Sequence, residues 1–160
     1  MPKKRIYLDT SVVSHLFQDD AVEKMSQTWK LWEAIKNGEF IVYISDVVEI
    51  EVNACFEPKR SKMLDALAKI SYKSIIVKNN KEIEAIANKF VVDKVLPAKS
   101  VLDCLHVAAA IANDCDIIVS WNFKHLVNYK TVDGARLIAF QTGHKQIAIE
   151  APIYLIPDKL

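Results

Sequence analysis

Four short runs rich in Ile, Val, Tyr and Leu recur along the chain, at Arg5–Leu8, Ile41–Ile44, Ser74–Val77 and Asp116–Val119. None alternates strictly between apolar and polar positions, which is how a strand covered on both faces reads. Between them lie segments that read as helices: Ser11–Gln18, Ala21–Asn37, Asp46–Phe56, Ser61–Ile70, Lys81–Asp93, Val101–Asp114 and Lys130–Thr142. Gly38 and Gly143 stand where the second and the last of these stop, the C′ position that glycine favours. Gly134 falls inside the last segment and counts against a helix there. Pro97 precedes the sixth segment and Ser100 is placed to cap it. Ile147–Leu160 reads as one more short strand followed by an irregular end holding Pro152 and Pro157. Strands alternating with helices predict an α/β domain whose parallel sheet is wrapped by helices.

With 160 residues and no repeat, low-complexity stretch or linker, the chain is expected to form a single domain over 1–160. Its 51% apolar and 26% charged residues exclude a disordered chain, a collagen and a disulfide scaffold. No apolar run approaches the roughly 18 residues of a membrane span. The basic opening Met1-Pro2-Lys3-Lys4-Arg5 is followed only by Ile-Tyr-Leu before Asp9. No secretory signal is therefore expected, and the expected location is cytoplasmic. Twenty-one basic and twenty acidic residues leave a charge of +1. That balance lends no support to a nucleic-acid binder and excludes none, because a local patch can supply the attraction. Cys55, Cys104 and Cys115 form no Cys-x-x-Cys pair and match neither a zinc site nor a disulfide framework, so buried free thiols are expected.

In a parallel α/β sheet ligands bind beyond the carboxyl ends of the strands, so the residues just after each run carry the chemistry. Asp9 follows the first run, Ser45 and Asp46 the second, and Ser120, Trp121 and Asn122 the fourth. On a helical wheel with Val47 at zero, Glu51 falls at about 40°, amid Val48, Ala54 and Cys55, whereas Glu49 lies near 200°. A carboxylate among apolar neighbours is costly unless paired, protonated or bound to a metal. Glu51 is thus the stronger site candidate, against the alternative of a stripe-edge glutamate reaching water or a lysine. In the sixth segment Val101, Leu105, Ala108 and Ala112 form an apolar stripe, broadened by Leu102, Ala109, Cys104 and Ile111, and Asp103 lies about 200° from Val101. Ser100 to Asp103 fits a capping box, a role compatible with an outward-facing oxygen. Asp9 likewise reads as an N-cap or as a site acid. Three acids converging near one sheet edge repel unless compensated, and a hard divalent cation with oxygen ligands is the usual remedy.

The order Ile-Tyr-Leu-Asp9-Thr10-Ser11, then Ile44-Ser45 with Glu51 six residues on, resembles the PIN-domain nucleases. Asp103-Cys-Leu-His106-Val-Ala-Ala-Ala110 looks like that family's third acidic motif, and Ile117-Ile118-Val119-Ser120-Trp121-Asn122-Phe123 like its fourth. The likeness spans about Ile6 to Leu126, and stand-alone chains of this length resemble VapC-type toxins. It implies a three-layer α/β/α sandwich around a central, mainly parallel sheet of four or five strands. It also implies RNA cleavage with Mg²⁺ or Mn²⁺, a homodimer, and a small antitoxin that keeps the protein silent. By the resemblance Asp9, Glu51 and Asp103 are metal ligands, Asn122 completes the catalytic set, and Thr10, Ser11 and Ser120 support it. Many members carry Asp where this chain has Asn122, which can ligate through its carbonyl oxygen but adds no charge.

The chemistry expected is endonucleolytic hydrolysis by metal-activated water, without a covalent intermediate. No Gly-x-Ser-x-Gly is present. His106 is expected to pack or to hydrogen-bond. Lys59, Arg60 and Lys62, with Lys69 and Lys73 beyond, form the clearest basic patch, read either as RNA-binding or as a solvated helix face. His125 is a candidate phosphate contact. Trp29 and Trp32 are expected in the core or a dimer interface. A receiver-like domain would leave Glu51 unexplained, a dehalogenase-type phosphatase needs a second Asp where Ser11 stands, and no Gly-x-Gly-x-x-Gly marks a dinucleotide site. The rival from another class is a catalytically weak or silent PIN-fold module that binds RNA or a partner, favoured by Asn122.

Overall fold

The computed structural model describes residues Pro2–Ile156, so Pro157 of the expected irregular end lies outside the described residues. Its sheet has five strands in the order β3-β2-β1-β4-β5, and every neighbouring pair is parallel. These are β1 (Lys4–Leu8), β2 (Phe40–Ser45), β3 (Lys73–Ile75), β4 (Ile117–Val119) and β5 (Ala148–Glu150). Parallel strands require crossovers. Helices α1 (Thr10–His15) and α2 (Val22–Lys36) join β1 to β2, and α3 (Asp46–Asn53) and α4 (Lys59–Ala68) join β2 to β3. Helices α5 (Lys81–Val92) and α6 (Val101–Ala112) lead to β4, and α7 (Tyr129–Gln141) leads to β5.

The strands lack alternation because both sheet faces are covered. Ile6 and Leu8 turn into one apolar layer with Val12, Leu31, Trp32, Val48 and Met63. Tyr7, between them, turns into the opposite layer with Phe90, Val107, Ile111 and Ile138. The side chains of Ile6, Tyr7 and Leu8 are all fully buried. Burying side chains of this size is worth roughly 1.5–3 kcal/mol each, which makes β1 the anchor of the sheet. Trp32 is core, as expected, while Trp29 packs at the margin and donates its indole N–H to the Leu16 carbonyl.

Gly38 and Gly143 both sit at φ +76°, the left-handed conformation that ends a helix. Gly134 has a different purpose. A Cβ there would lie 2.5 Å from Val95 Cγ1, so the bare backbone lets α7 close on the α5–α6 connection. The expected buried stripe of α6 needs correction. Cys104, Ala108, Ala109 and Ile111 are buried as expected, but Val101 and Leu102 are 53% and 40% exposed, and Val107 joins the buried face. The expected cap also differs: a 3₁₀ turn, Ala98–Ser100, precedes α6, and the Ser100 side chain makes no capping hydrogen bond. Pro97 enforces an extended backbone ahead of that turn, so the entry to α6 is set without the hydroxyl. The three cysteines are unpaired, and only Cys55 is not fully buried. Burial raises the Cys104 thiol to about 11 and the Cys115 thiol to about 12. Among the described residues no helix is long and apolar enough to cross a membrane.

Candidate active site at the carboxyl edge of the sheet

Strand order reverses between β1 and β4, and the crevice beyond the carboxyl ends of that pair is where such sheets bind ligands. Asp9 directly follows β1 and Ser120 directly follows β4. The Ser120 hydroxyl donates to Asp9 Oδ2 at 2.5 Å, bridging the reversal point. Ser11 donates to Asp9 Oδ1 at 2.5 Å, and the Val12 N–H donates to the same oxygen at 3.3 Å. Asp9 is therefore both the N-cap of α1 and a carboxylate only 3% exposed. Trp121 locks this corner: its N–H donates to Ser11 Oγ, and its indole N–H donates to Thr28 Oγ1.

Glu51 projects from α3 with a side chain 31% exposed. Its Oε1 accepts from Thr10 Oγ1 at 2.9 Å and lies 2.6 Å from His106 Nε2. No lysine or arginine reaches it among the described residues, so of the alternative of an edge glutamate reaching water or a lysine, the lysine half is excluded. Asp103, in the first turn of α6, accepts from Asn122 Nδ2 at 3.4 Å. The Asn122 carbonyl oxygen is committed elsewhere, accepting the His125 N–H at 3.0 Å. Thr10, Ser11 and Ser120 thus all bond a candidate acid, and Asn122 faces Asp103 with its amide nitrogen.

The electrostatics differ among the three acids. Burial raises the Asp9 carboxyl above the ordinary range, against the lowering influence of His106 and the two serine hydroxyls. Burial also raises Asp103, and the charges of Asp9 and Glu51 add to that rise. Burial acts on Glu51 in the same sense, but the hydrogen bond and charge of His106, with the Thr10 hydroxyl, outweigh it and lower the group. Mutual repulsion felt at Asp103 places the three acids in one electrostatic neighbourhood.

A carboxylate oxygen has two acceptor positions. Asp9 Oδ1 and Glu51 Oε1 have both filled, whereas among the described residues Glu51 Oε2 and Asp103 Oδ2 accept from no protein group. Among the described residues no three His, Cys, Asp or Glu side chains stand close enough to ligate one ion as disposed here. The donor set still fits a hard divalent cation: carboxylate oxygens, no sulfur, and no protein cation competing for them. Closing them around one ion requires side-chain movement, for which partly exposed Asp103 has room, while Glu51 is held by its two donors with Oε2 open.

Glu51 and Asp103 share a pocket of about 400 Å³ with Lys99, Ser100, Leu102, Lys124 and His125. His125 was expected near substrate and lines this pocket. Lys59, Arg60 and Lys62 do not: Lys59 donates to Gln18, Arg60 pairs with Glu57, and Lys62 lines a separate groove with Trp29 and Asp65. Lys99 and Lys124 were missed, since a lone lysine before a helix or after a strand carries no pattern. Tyr7 was missed because a strand tyrosine between two apolar residues reads as core.

A family model described as the PIN domain matches residues 6–124. The fold is similar to a chain in the crystal structure of VapBC2 from Rickettsia felis bound to a DNA fragment from their promoter. That likeness has a TM-score of 0.60 and 15% identity, and covers 92% of this chain and 98% of that one. No curated protein matches the sequence.

Proposed function

The chain belongs to the PIN-domain family, whose members are generally nucleases, and from that premise we propose that it is a Mg²⁺- or Mn²⁺-dependent endoribonuclease. One observation carries the reading: carboxylates near the strand-order reversal bonded by hydroxyls, a histidine and an amide, with no lysine or arginine paired to them among the described residues. Asp9, Glu51 and Asp103 would hold the ion, with Asn122 beside Asp103. When bound, such an ion supplies an activated water at neutral pH and neutralises charge on the scissile phosphate.

The protein's own groups prepare the rest. Ser11 and Ser120 hold Asp9 in one orientation, and Thr10 and His106 hold Glu51 by Oε1. Lys99, Lys124 and His125 border the same pocket and are suited to non-bridging phosphate oxygens on either side of the cleaved bond. Nothing in this arrangement calls for a covalent intermediate, since both cysteines near the sheet are buried thiols with raised pKa values.

The likeness to a VapBC2 structure supports the finer reading of a toxin paired with a small antitoxin, and we take that toxin to act as a homodimer. A second reading, a catalytically silent module that binds RNA or a partner, is favoured by Asn122, whose carbonyl oxygen serves the His125 backbone rather than the acids. Incubating the purified protein with single-stranded and structured RNA in millimolar Mn²⁺ separates the two. Cleavage by the wild type that drops at least about 10³-fold in Asp9→Asn, the scale of several kcal/mol of lost charge stabilisation, supports the nuclease. RNA bound equally by both proteins and cut by neither supports the silent module.

A further inference from the structure

A chain of buried polar groups runs from the second strand to Glu51, and its links beyond His106 are used by nothing described so far. Ser45 Oγ lies 2.7 Å from the Tyr7 hydroxyl, and that hydroxyl lies 2.6 Å from His106 Nδ1. His106 Nε2 then lies 2.6 Å from Glu51 Oε1. Ser45, Tyr7 and His106 are all buried, and the Tyr7 and His106 rings meet edge to face at 5.7 Å. Burying three polar side chains is costly unless every donor finds an acceptor. Four separate elements, β1, the end of β2, α3 and α6, contribute one member each.

The direction of the chain follows from its two ends. Glu51 is held as a carboxylate and only accepts, so His106 must present N–H at Nε2. A neutral ring with its proton on Nε2 has a lone pair at Nδ1, and the Tyr7 O–H is placed to donate to it. The Tyr7 oxygen in turn accepts from the Ser45 hydroxyl. In a neutral ring, a proton on Nδ1 instead would set the Nε2 lone pair against the Glu51 carboxylate.

We propose that Ser45, Tyr7 and His106 form a positioning relay that fixes the His106 tautomer, pins Glu51 by Oε1 and leaves Oε2 open to a divalent cation. Thr10 is the second pin, and two donors on one oxygen define the carboxylate plane as a single donor cannot. None of the three touches the substrate or the ion. They act through Glu51, as outer-shell partners do in metal sites where their loss typically costs 10–100-fold in affinity. The inference rests on the nuclease reading above, because it takes Glu51 as a cation ligand.

Mn²⁺ binding to the full-length protein, read by the electron paramagnetic resonance signal of the unbound ion, tests it without reference to turnover. His106→Ala is expected to weaken Mn²⁺ about 10-fold or more, and His106→Gln, whose amide N–H can reach Glu51, to recover most of that loss. Tyr7→Phe keeps the packing shape and removes only the hydroxyl that selects the tautomer, so it guards against a His106→Ala variant that fails to fold. It is expected to weaken Mn²⁺ severalfold while the far-ultraviolet circular dichroism stays that of wild type. In long-range ¹H–¹⁵N correlation spectra wild-type His106 should carry its proton on Nε2, and Tyr7→Phe should mix the tautomers. Wild-type binding that disappears in Asp9→Asn but survives unchanged in Tyr7→Phe and His106→Ala would overturn the relay and leave the nuclease reading standing. A wild type that binds no Mn²⁺ would overturn both.

Discussion

Acids stand at both ends of this sheet, and Asp9 and Asp103 at the carboxyl edge are treated oppositely to Asp114 and Asp116 at the amino edge. At the amino edge Asp116 accepts the Arg5 N–H at 2.8 Å and pairs with Lys145 at 2.6 Å. Asp114 beside it meets His144 at 3.1 Å and the Lys145 N–H at 3.3 Å. Despite partial burial, those partners lower both carboxyl groups below the ordinary range. At the carboxyl edge Asp9 and Asp103 have hydroxyl and amide neighbours, no lysine or arginine partner, and raised pKa values. One end of the sheet satisfies its acids from the chain itself. The other uses Asp9 as a helix cap but leaves Glu51 Oε2 and Asp103 Oδ2 with no protein donor among the described residues. That contrast, rather than the presence of acids, separates a structural cluster from a reactive one.

The sharpest way to break the comparison is to supply the missing charge. Mg²⁺ or Mn²⁺ at about 100 times its dissociation constant should stabilise the folded protein by about 2.7 kcal/mol. For a chain of this size that is a rise in Tm of roughly 5–10 °C by calorimetry. Asp9→Asn should abolish the rise, whereas Asp116→Asn should leave it unchanged. An equal rise in both variants would mean that the ion binds somewhere other than the carboxyl edge.

Removing charge without adding metal should move stability in opposite directions at the two ends. Asp9 and Asp103 hold a proton more readily folded than unfolded, so their stabilising contribution is present in acid and is lost as pH rises through their raised pKa values. Asp114 and Asp116 contribute above the unfolded value of about 3.9, and that contribution is lost as pH falls through their lowered pKa values. At pH 7 without divalent ions Asp9→Asn should therefore raise Tm, by on the order of 1 kcal/mol in stability, since asparagine still caps α1. The gain should shrink as pH falls below about 4, where the wild-type carboxyl is neutral in both states. Asp116→Asn should cost roughly 0.5–1 kcal/mol, the scale of a partly exposed ion pair. Chemical denaturation across pH 3–8 reads all three trends, and a destabilised Asp9→Asn would show that the hydroxyls already compensate the charge.

Much of this was legible before any coordinates. Doubly covered strands, the C′ glycines and the residues following each strand follow from local pattern, and so did Asp9, Glu51 and Asp103 as candidates. What local pattern could not carry was long-range. The Tyr7–His106–Glu51 chain joins residues up to 99 positions apart, and Tyr7 differs from a core tyrosine only in what its hydroxyl meets. Lys99 and Lys124 join the acids only because the ends of β4 and α6 come together. The wheel misjudged Val101 and Leu102 because it treats a helix as buried from its first residue, while α6 enters from solvent through a 3₁₀ turn.

Asn122 gives the finest test, because it sits where the two ends could be made alike or further apart. Its Nδ2 is the only protein N–H donating to Asp103 among the described residues, and a weak one at 3.4 Å. Asn122→Asp replaces that donor with a fourth negative charge while keeping an oxygen to accept the His125 N–H. Without divalent ions the added repulsion should lower stability by roughly 0.5 kcal/mol, the scale of a half-exposed charge pair. With them, one more hard anionic ligand should tighten Mn²⁺ severalfold, because affinity at such sites follows ligand charge. The two effects have opposite signs and share one cause, so the Tm rise on adding Mn²⁺ should be larger in Asn122→Asp than in wild type. An unchanged rise would remove position 122 from the cation site and leave it as the residue that turns the chain towards His125.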